Sequence, residues 1–200
     1  MSKEAQIRLD RQMNFLCEMD RLKSVLRATR LHDDSRFENS AEHSWHIAMY
    51  ALTLAEYAPK GCDMTKVVQM LLLHDVVEID AGDNPIHGDY NKKEMEAKEQ
   101  LAADRLFGLL PEDQAAQFRN LWDEFEAATS PEAKFAKALD RIPAPLANMD
   151  IGGGSWTEYN VTLEDLDQRV GTPIETGAPA MWNWLRPKIR DWFQQRGLAE

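Results

Sequence analysis

Residues 71–80 read Leu-Leu-Leu-His-Asp-Val-Val-Glu-Ile-Asp, an apolar run that leads directly into a cluster of ionisable side chains. Apolar residues lie almost all round the preceding segment from Val67 to Leu73, which predicts the most buried helix of the fold. If that helix continues, His74 and Glu78 are four residues apart and share a face, with Asp75 beside them. Buried ionisable groups are costly unless they are paired or bind a metal. Their partners must therefore come from other segments of the chain.

The composition is that of an ordinary globular chain. Its 200 residues contain no long linker, which predicts a single domain with a sizeable core. The net charge of −11 argues against broad contacts with nucleic acid or anionic membranes, and no stretch approaches the roughly 20 apolar residues of a membrane helix. The polar first residues show no signal pattern, and Cys17 and Cys62 are too few for a disulfide framework. We therefore expect a cytoplasmic protein in which both cysteines are buried.

Helical periodicity runs through most of the chain. A first helix is predicted from Ala5 to Arg27, and a second from Ser40 to Tyr57 after the start signal Asn39-x-x-Glu42. Later helices are predicted at 91–110, at 114–128, from Ser130-Pro131 onward, at 161–169 with Thr162 as N-cap, and at about 179–196. No segment alternates polar and apolar residues with a convincing period of two. The sequence therefore predicts an all-α, single-domain helical bundle.

The densest basic group of the chain lies at the end of the first predicted helix. It comprises Arg21, Lys23, Arg27 and Arg30. One interpretation is that these cations are stabilised by the macrodipole at a helix C-terminus. The other is that they recognise an anion. Spacing alone leaves both interpretations open.

Four possible metal ligands lie on three different predicted helices. They are His43, His74, Asp75 and Asp140. Two imidazoles and two carboxylates suit Mn²⁺, Fe²⁺, Co²⁺, Ni²⁺ or Zn²⁺, and four protein ligands leave room on a six-coordinate ion for water or substrate. Such an ion lowers the pKa of a water molecule and polarises a phosphoryl oxygen. On spacing alone His43 also fits a structural histidine, and Asp140 also fits an acceptor of N–H groups or half of an ion pair with Arg141.

The order His, His-Asp, Asp resembles that of the HD superfamily of metal-dependent phosphohydrolases, and is most similar to the small HD-domain 5′-deoxynucleotidase-like group. The resemblance is carried by Glu38–Ser44, by His74–Glu78 with Gly82-Asp83, and by Glu132–Asp140. It implies an HD-type all-α bundle, commonly dimeric, that hydrolyses phosphate from nucleotides. It places the HD core at about residues 20–170. The C-terminal helix is expected to pack on that core or in a dimer interface.

The resemblance also implies a role for individual side chains. The family's metal ligands correspond to His43, His74, Asp75 and Asp140. Glu78 corresponds to the acid beside the attacking water and the scissile oxygen, and Asp83 to the acid that meets the sugar. Arg27 corresponds to an arginine that holds the phosphate, a task for which its fork of donors is suited. The expected substrate is thus a (deoxy)nucleoside 5′-monophosphate or a similar small phosphate ester.

The chain departs from the nucleotidases at one position. Those members carry an aromatic residue next to the arginine, whereas this chain has Ala28-Thr29-Arg30, so we expect a different sugar or base preference. The Gly-rich loop at Ile151–Ser155 and the Trp-rich C-terminal helix are similar to those of a sister branch without settled substrates. Two alternatives stay open: triphosphohydrolase or phosphodiesterase chemistry, and a non-enzymatic helical dimer with a structural metal.

Overall fold

The structure is a computed structural model that describes residues 1–198, and it is built almost entirely of helices. The α-helices are α1 (Lys3–Met19), α2 (Ser40–Thr53), α3 (Met64–Leu73), α4 (Glu78–Ala81), α5 (Lys92–Phe107), α6 (Glu112–Ala127), α7 (Pro131–Arg141), α8 (Pro143–Asp150), α9 (Ser155–Glu158), α10 (Leu163–Leu166), α11 (Thr172–Gly177) and α12 (Pro179–Gln195). Short 3₁₀ segments cover Asp20–Ser24, Ala55–Tyr57 and His74–Val77, and Asp167–Gly171 is π-helical. The predicted all-α class is confirmed.

Polar caps fix where several of these helices begin. Asn39 and Glu42 form a reciprocal capping box at the start of α2, as the sequence predicts. Ser130 caps α7 ahead of Pro131, and Thr162 forms a second capping box with Asp165. The caps at Asn39 and Ser130 fix where α2 and α7 begin, and therefore where His43 and Asp140 lie on these two helices.

The first predicted helix is wrong beyond Met19. The chain tightens into the 3₁₀ segment and then forms strand β1 (Leu26–Arg30), which pairs with β2 (Phe37–Asn39) in an antiparallel two-stranded sheet. The ladder is irregular between Leu26 and Arg30 and too short to show a period of two. Arg27 and Arg30 therefore lie on a strand, and the helix-macrodipole interpretation of the basic group does not apply to them.

Helix α1 packs on the core less than its pattern suggests. Phe15 is its one buried residue. Cys17 is exposed and Cys62 is half-buried, so the expectation that both cysteines are buried is wrong.

The helix that was predicted to run through residues 71–80 breaks at His74. The indole Nε1 of Trp122 donates to the carbonyl oxygen of His74 over 3.1 Å, which takes that acceptor out of the helical ladder. The amide of Glu78 bonds instead to Asp75 and Val76, giving a 3₁₀ turn between α3 and α4. The break falls on the ionisable residues, a position where tightened turns often mark a functional site. Helix α3 is also exposed on one side, at Leu72.

The centre of the core is helix α7, which packs against α2, α3, α6 and α11. Its Phe135 and Leu139 are fully buried. Helix α11 approaches α7 so closely that a Cβ on Gly177 would lie 2.0 Å from the carbonyl oxygen of Lys134. Helix α12 buries an apolar stripe against the same core through Met181, Trp182, Leu185, Ile189, Trp192 and Phe193. None of the helices within residues 1–198 is both long enough and apolar enough to pass through a bilayer.

Candidate metal centre

The four side chains expected as metal ligands meet at one buried point. His43 comes from the first turn of α2, His74 and Asp75 from the 3₁₀ turn, and Asp140 from α7. Asp140 Oδ1 lies 2.9 Å from His43 Nε2 and 3.6 Å from His74 Nε2, which is itself 2.9 Å from Asp75 Oδ1. One ligand atom from each of His43, His74 and Asp75 falls within 4.8 Å of the others. All four side chains are buried.

Neighbouring acceptors orient both imidazoles toward this point. His74 Nδ1 lies 2.9 Å from the carbonyl oxygen of Leu71, so Nδ1 carries the donated proton and Nε2 faces the cluster. Nε2 is buried and meets no acceptor in hydrogen-bond geometry, although Asp75 Oδ1 lies 2.9 Å away. His43 Nδ1 faces Glu38 Oε2 at 3.3 Å. A metal-ligating histidine usually has a carboxylate or a carbonyl oxygen next to the ring nitrogen that faces away from the metal. The donor set and its orphaned nitrogen therefore fit a divalent ion.

The charges within the cluster shift the pKa values of its members. Burial lowers the pKa of His74, but Asp75 and Asp140 outweigh that effect and raise it to about 10. Burial raises the pKa of Asp140, yet Arg141 and the two histidines bring it well below its ordinary value. The carboxylates are therefore ionised and ready to bind a cation. A metal that binds His74 must displace its proton.

Glu78 and Asp83 lie beside the cluster without belonging to it. Burial raises the pKa of Glu78 well above its ordinary value, and the Asp75 carboxylate raises it further. The Ser40 hydroxyl donates to Glu78 Oε2 over 2.5 Å and partly offsets that rise. Burial also raises the pKa of Asp83. Carboxyl groups with raised pKa in a cavity are typical of functional sites.

Arg27 reaches the cluster from strand β1. Its Nη1 lies 2.9 Å from Asp75 Oδ2 and 3.7 Å from Asp83 Oδ1, and its Nε lies 3.6 Å from Glu38 Oε2. Arg30 lies apart: it pairs with Asp34 and places its guanidinium 4.7 Å from the centroid of the Phe37 ring. Of the two arginines on β1, Arg27 alone lines the cavity described next.

The cluster opens into a cavity of about 430 Å³. His74, Asp75, Glu78, Asp83 and Asp140 contribute to its wall. Ala28 and Thr29 line it next to Arg27, so the position where nucleotidases carry an aromatic residue faces this space. Loop residues 84–87 and the segment around Ser155 and Trp156 complete other parts of the wall. The cavity is large enough for a small phosphate ester.

The structure adds residues to which the sequence assigned no role in the site. Glu38 supports His43, Ser40 contacts Glu78, and Trp122 holds the His74 carbonyl. Glu38 lies five positions before His43, and only the turn from β2 into α2 brings its carboxylate behind the ring. The sequence suggests Arg141 only as an ion-pair partner of Asp140, whereas in the structure it also lines the cavity.

The chain is similar to several known proteins. A 5′-deoxynucleotidase HDDC2 from Homo sapiens is 30% identical over 130 residues, which is 64% of this chain and 62% of that protein. The Danio rerio protein of the same name is 28% identical over 67% of this chain and 66% of its own length. The chain thus covers less than two thirds of these vertebrate relatives. A 5′-deoxynucleotidase from Shewanella oneidensis is 26% identical over 77% of this chain and 82% of its own.

A solved structure and a family model extend the match. The crystal structure of a protein described as a predicted metal-dependent phosphohydrolase, from Magnetospirillum magnetotacticum MS-1, superposes with a TM-score of 0.90. It is 46% identical and covers 96% of this chain and 99% of its own. The sequence model described as HD domain matches residues 19–182. The chain belongs to the HD-domain family.

Proposed function

We propose that this protein is a metal-dependent phosphohydrolase that releases phosphate from (deoxy)nucleoside 5′-monophosphates or from similar small phosphate esters. One observation carries the proposal: in the buried cluster of two imidazoles and two carboxylates, His74, Asp75 and Asp140 line one cavity together with Glu78 and Arg27. Structural metal sites are usually closed, whereas catalytic sites keep a position open for water or substrate. The relatives named 5′-deoxynucleotidase support the nucleotide as substrate.

The metal would be held by His43, His74, Asp75 and Asp140. A mixed nitrogen and oxygen set suits Mn²⁺, Fe²⁺, Co²⁺, Ni²⁺ or Zn²⁺. When bound, the ion supplies Lewis acidity toward the phosphoryl group and toward the attacking water. Restoring each ion in turn to the chelated protein distinguishes among them.

The remaining side chains act on the substrate. Water attacks phosphorus, the bond from phosphorus to the sugar 5′-oxygen breaks, and the products are the nucleoside and inorganic phosphate. Glu78 accepts the proton of the water and returns one to the leaving oxygen, because burial raises its pKa and makes its carboxylate a stronger base. Arg27 balances the carboxylates against which the phosphate must bind. Asp83 accepts a hydrogen bond from the sugar.

Ala28 and Thr29 are proposed to set the sugar or base preference. Both line the cavity next to Arg27, where the nucleotidases carry an aromatic side chain. Small side chains leave room that a large ring would fill, so the wall is less able to exclude a 2′-hydroxyl. We expect weaker discrimination between ribo- and deoxyribonucleotides than an aromatic residue would give.

The test is phosphate release from paired ribo- and deoxyribonucleoside 5′-monophosphates. Chelated protein should be inactive, and adding back each divalent ion in turn should restore release with one or two of them. His74→Ala should lose both metal and turnover, whereas Glu78→Ala should keep the metal and lose turnover. Release by metal-free protein, or by His74→Ala, would reject the proposal. Triphosphates and cyclic nucleotides belong in the same panel, because turnover of those alone would establish the alternative HD chemistries.

We also propose that the protein acts in the cytoplasm as a homodimer. An exposed thiol at Cys17 suits a reducing compartment. Helix α2 carries an exposed apolar stripe at Trp45, Met49 and Leu52, whose side chains are 63%, 42% and 63% exposed. Such a stripe favours burial against a second copy. A molar mass near 22.9 kDa in light scattering would contradict the dimer.

A further inference from the structure

The cavity wall carries more positive charge than Arg27. Among the described residues that line it, the lysine and arginine side chains are Arg27, Lys92, Lys137 and Arg141. Lys92 is 85% exposed and points its charge into solvent beside Glu96. Lys137 donates to Glu126 over 2.9 Å and lies 4.1 Å from the centroid of the Phe125 ring. Both lysine ammonium groups therefore already lie beside a carboxylate.

Arg27 is already engaged by carboxylates. Its guanidinium lies within 4 Å of Asp75, Asp83 and Glu38 at the same time. A single cation among three acids does not leave a surplus of positive charge for a phosphate dianion. A second cation from the chain would add to the positive charge of the metal in attracting such a dianion.

Arg141 differs from Arg27 in its charge balance: one carboxylate lies within 4 Å of its guanidinium, against three for Arg27, whose buried Nε also lacks a hydrogen-bond acceptor. Arg141 is the last residue of α7 and follows Asp140, whose Oδ2 lies 3.0 Å from one of its Nη atoms. Its Nε is buried and has no acceptor, while the side chain as a whole is 30% exposed along the cavity. An unpaired buried N–H is costly. The geometry is that of a donor whose acceptor arrives with a ligand.

We propose that Arg141 is a second phosphate-binding residue, whose Nε–H donates to a non-bridging oxygen of the substrate phosphate. This inference rests on the proposed function for the identity of the anion. One Nη atom stays on Asp140, so the same side chain links a ligand of the metal to the phosphate. An arginine is suited to this double contact because its donors point in fixed directions.

The experiment is calorimetric titration of the Mn²⁺-loaded protein with inorganic phosphate, which requires no turnover. Arg141→Gln removes the charge and the Nε–H, and Arg141→Lys keeps the charge but has no donor at that position. Arg8→Gln is the matched control, because Arg8 pairs with Asp113 on the surface and does not line the cavity. Manganese content is measured for each protein before the titration.

We expect Arg141→Gln to weaken phosphate binding roughly 10- to 100-fold, the effect of a lost hydrogen bond to a charged group. Arg141→Lys should lie between this variant and the wild type, and Arg8→Gln should bind as the wild type does. A wild-type dissociation constant in a manganese-loaded Arg141→Gln protein overturns the inference. If that variant loses manganese, Arg141→Lys decides, and a wild-type constant there overturns it equally. Phosphate binding without hydrolysis of any substrate would instead refute the proposed function alone.

Discussion

The Ser40 hydroxyl donates a hydrogen bond to Glu78 Oε2 over 2.5 Å, which joins the first residue of α2 to the proposed proton carrier. This bond lowers the pKa of Glu78 against the effect of burial. Ser40→Ala should therefore raise the pKa of Glu78 and free its carboxyl group to rotate. Because the proposed reaction needs Glu78 ionised, kcat should fall roughly tenfold near neutral pH. The acid limb of the pH–rate profile should move to higher pH.

Ser44 supplies the control for this variant. It lies one turn later on α2, is also buried, and its hydroxyl has no hydrogen-bond partner. Ser44→Ala removes the same atoms without touching Glu78, so its pH–rate profile should match the wild type. An unchanged profile in Ser40→Ala would show that the hydroxyl does not tune Glu78.

Local chemistry in the sequence predicts a large part of this molecule. The capping residues Asn39, Ser130 and Thr162 mark helix starts because their side chains satisfy amides that a helix leaves free. The cost of burying His74 and Asp75 unpaired predicts that they need partners, and the resemblance to the HD superfamily implies that His43 and Asp140 join them. The structure brings these four together, although their roles as ligands stay predictions.

Features that depend on contacts between distant segments could not be predicted. Strand β1 has no alternating pattern, and it exists because Phe37–Asn39 pairs with it. The break at His74 depends on the indole of Trp122, which is 48 positions away. Glu38 becomes a partner of His43 only through the turn that joins β2 to α2.

Glu38 is expected to control metal affinity without touching the metal. Its Oε2 lies 3.3 Å from His43 Nδ1, on the side of the ring away from the cluster. Glu38→Gln removes the negative charge that holds this ring, so the dissociation constant for the metal should rise roughly 10- to 100-fold. Competition with a chromophoric chelator measures the constant.

The matched control is Glu42→Gln. Glu42 lies in the first turn of α2, but its carboxylate binds Arg36 and the amide of Asn39 rather than His43. The Glu42→Gln protein should bind the metal as tightly as the wild type does. It should lose a little stability, because the cap of α2 is weakened. Equal affinity in Glu38→Gln would mean that His43 needs no support from this carboxylate.

Metal binding should release about one proton near neutral pH. Asp75 and Asp140 raise the pKa of His74 to about 10, so its imidazole is protonated in the metal-free protein. Both aspartates already have lowered pKa values and hold no proton at that pH. The apparent affinity should therefore rise about tenfold for each pH unit between 7 and 9. Calorimetry in buffers of different ionisation enthalpy counts the proton, and a count of zero would show that His74 is neutral before the metal arrives.

Glu99 should make the protein less stable as the pH rises. It is half-buried on α5 along the cavity, where burial and then the Glu126 carboxylate raise its pKa to about 7. The folded pKa thus lies above the unfolded value of 4.5. The stabilisation by the protonated form is complete below the unfolded pKa and is lost as the pH rises through about 7.

Glu99→Gln keeps a neutral side chain at every pH, and this isolates the effect. At pH 5.5 the variant should exceed the wild type in stability by less than at pH 8.5, because between these values Glu99 still loses its proton in the folded state. At pH 8.5 the variant should be more stable by about 1 kcal/mol, a value reduced from the full shift because solvent screens a half-buried group. Glu56→Gln, on the exposed Ala55–Tyr57 segment, should show no such divergence. Parallel curves for Glu99→Gln and the wild type across this range would contradict the raised pKa, because an ordinary glutamate is fully ionised at both ends of it.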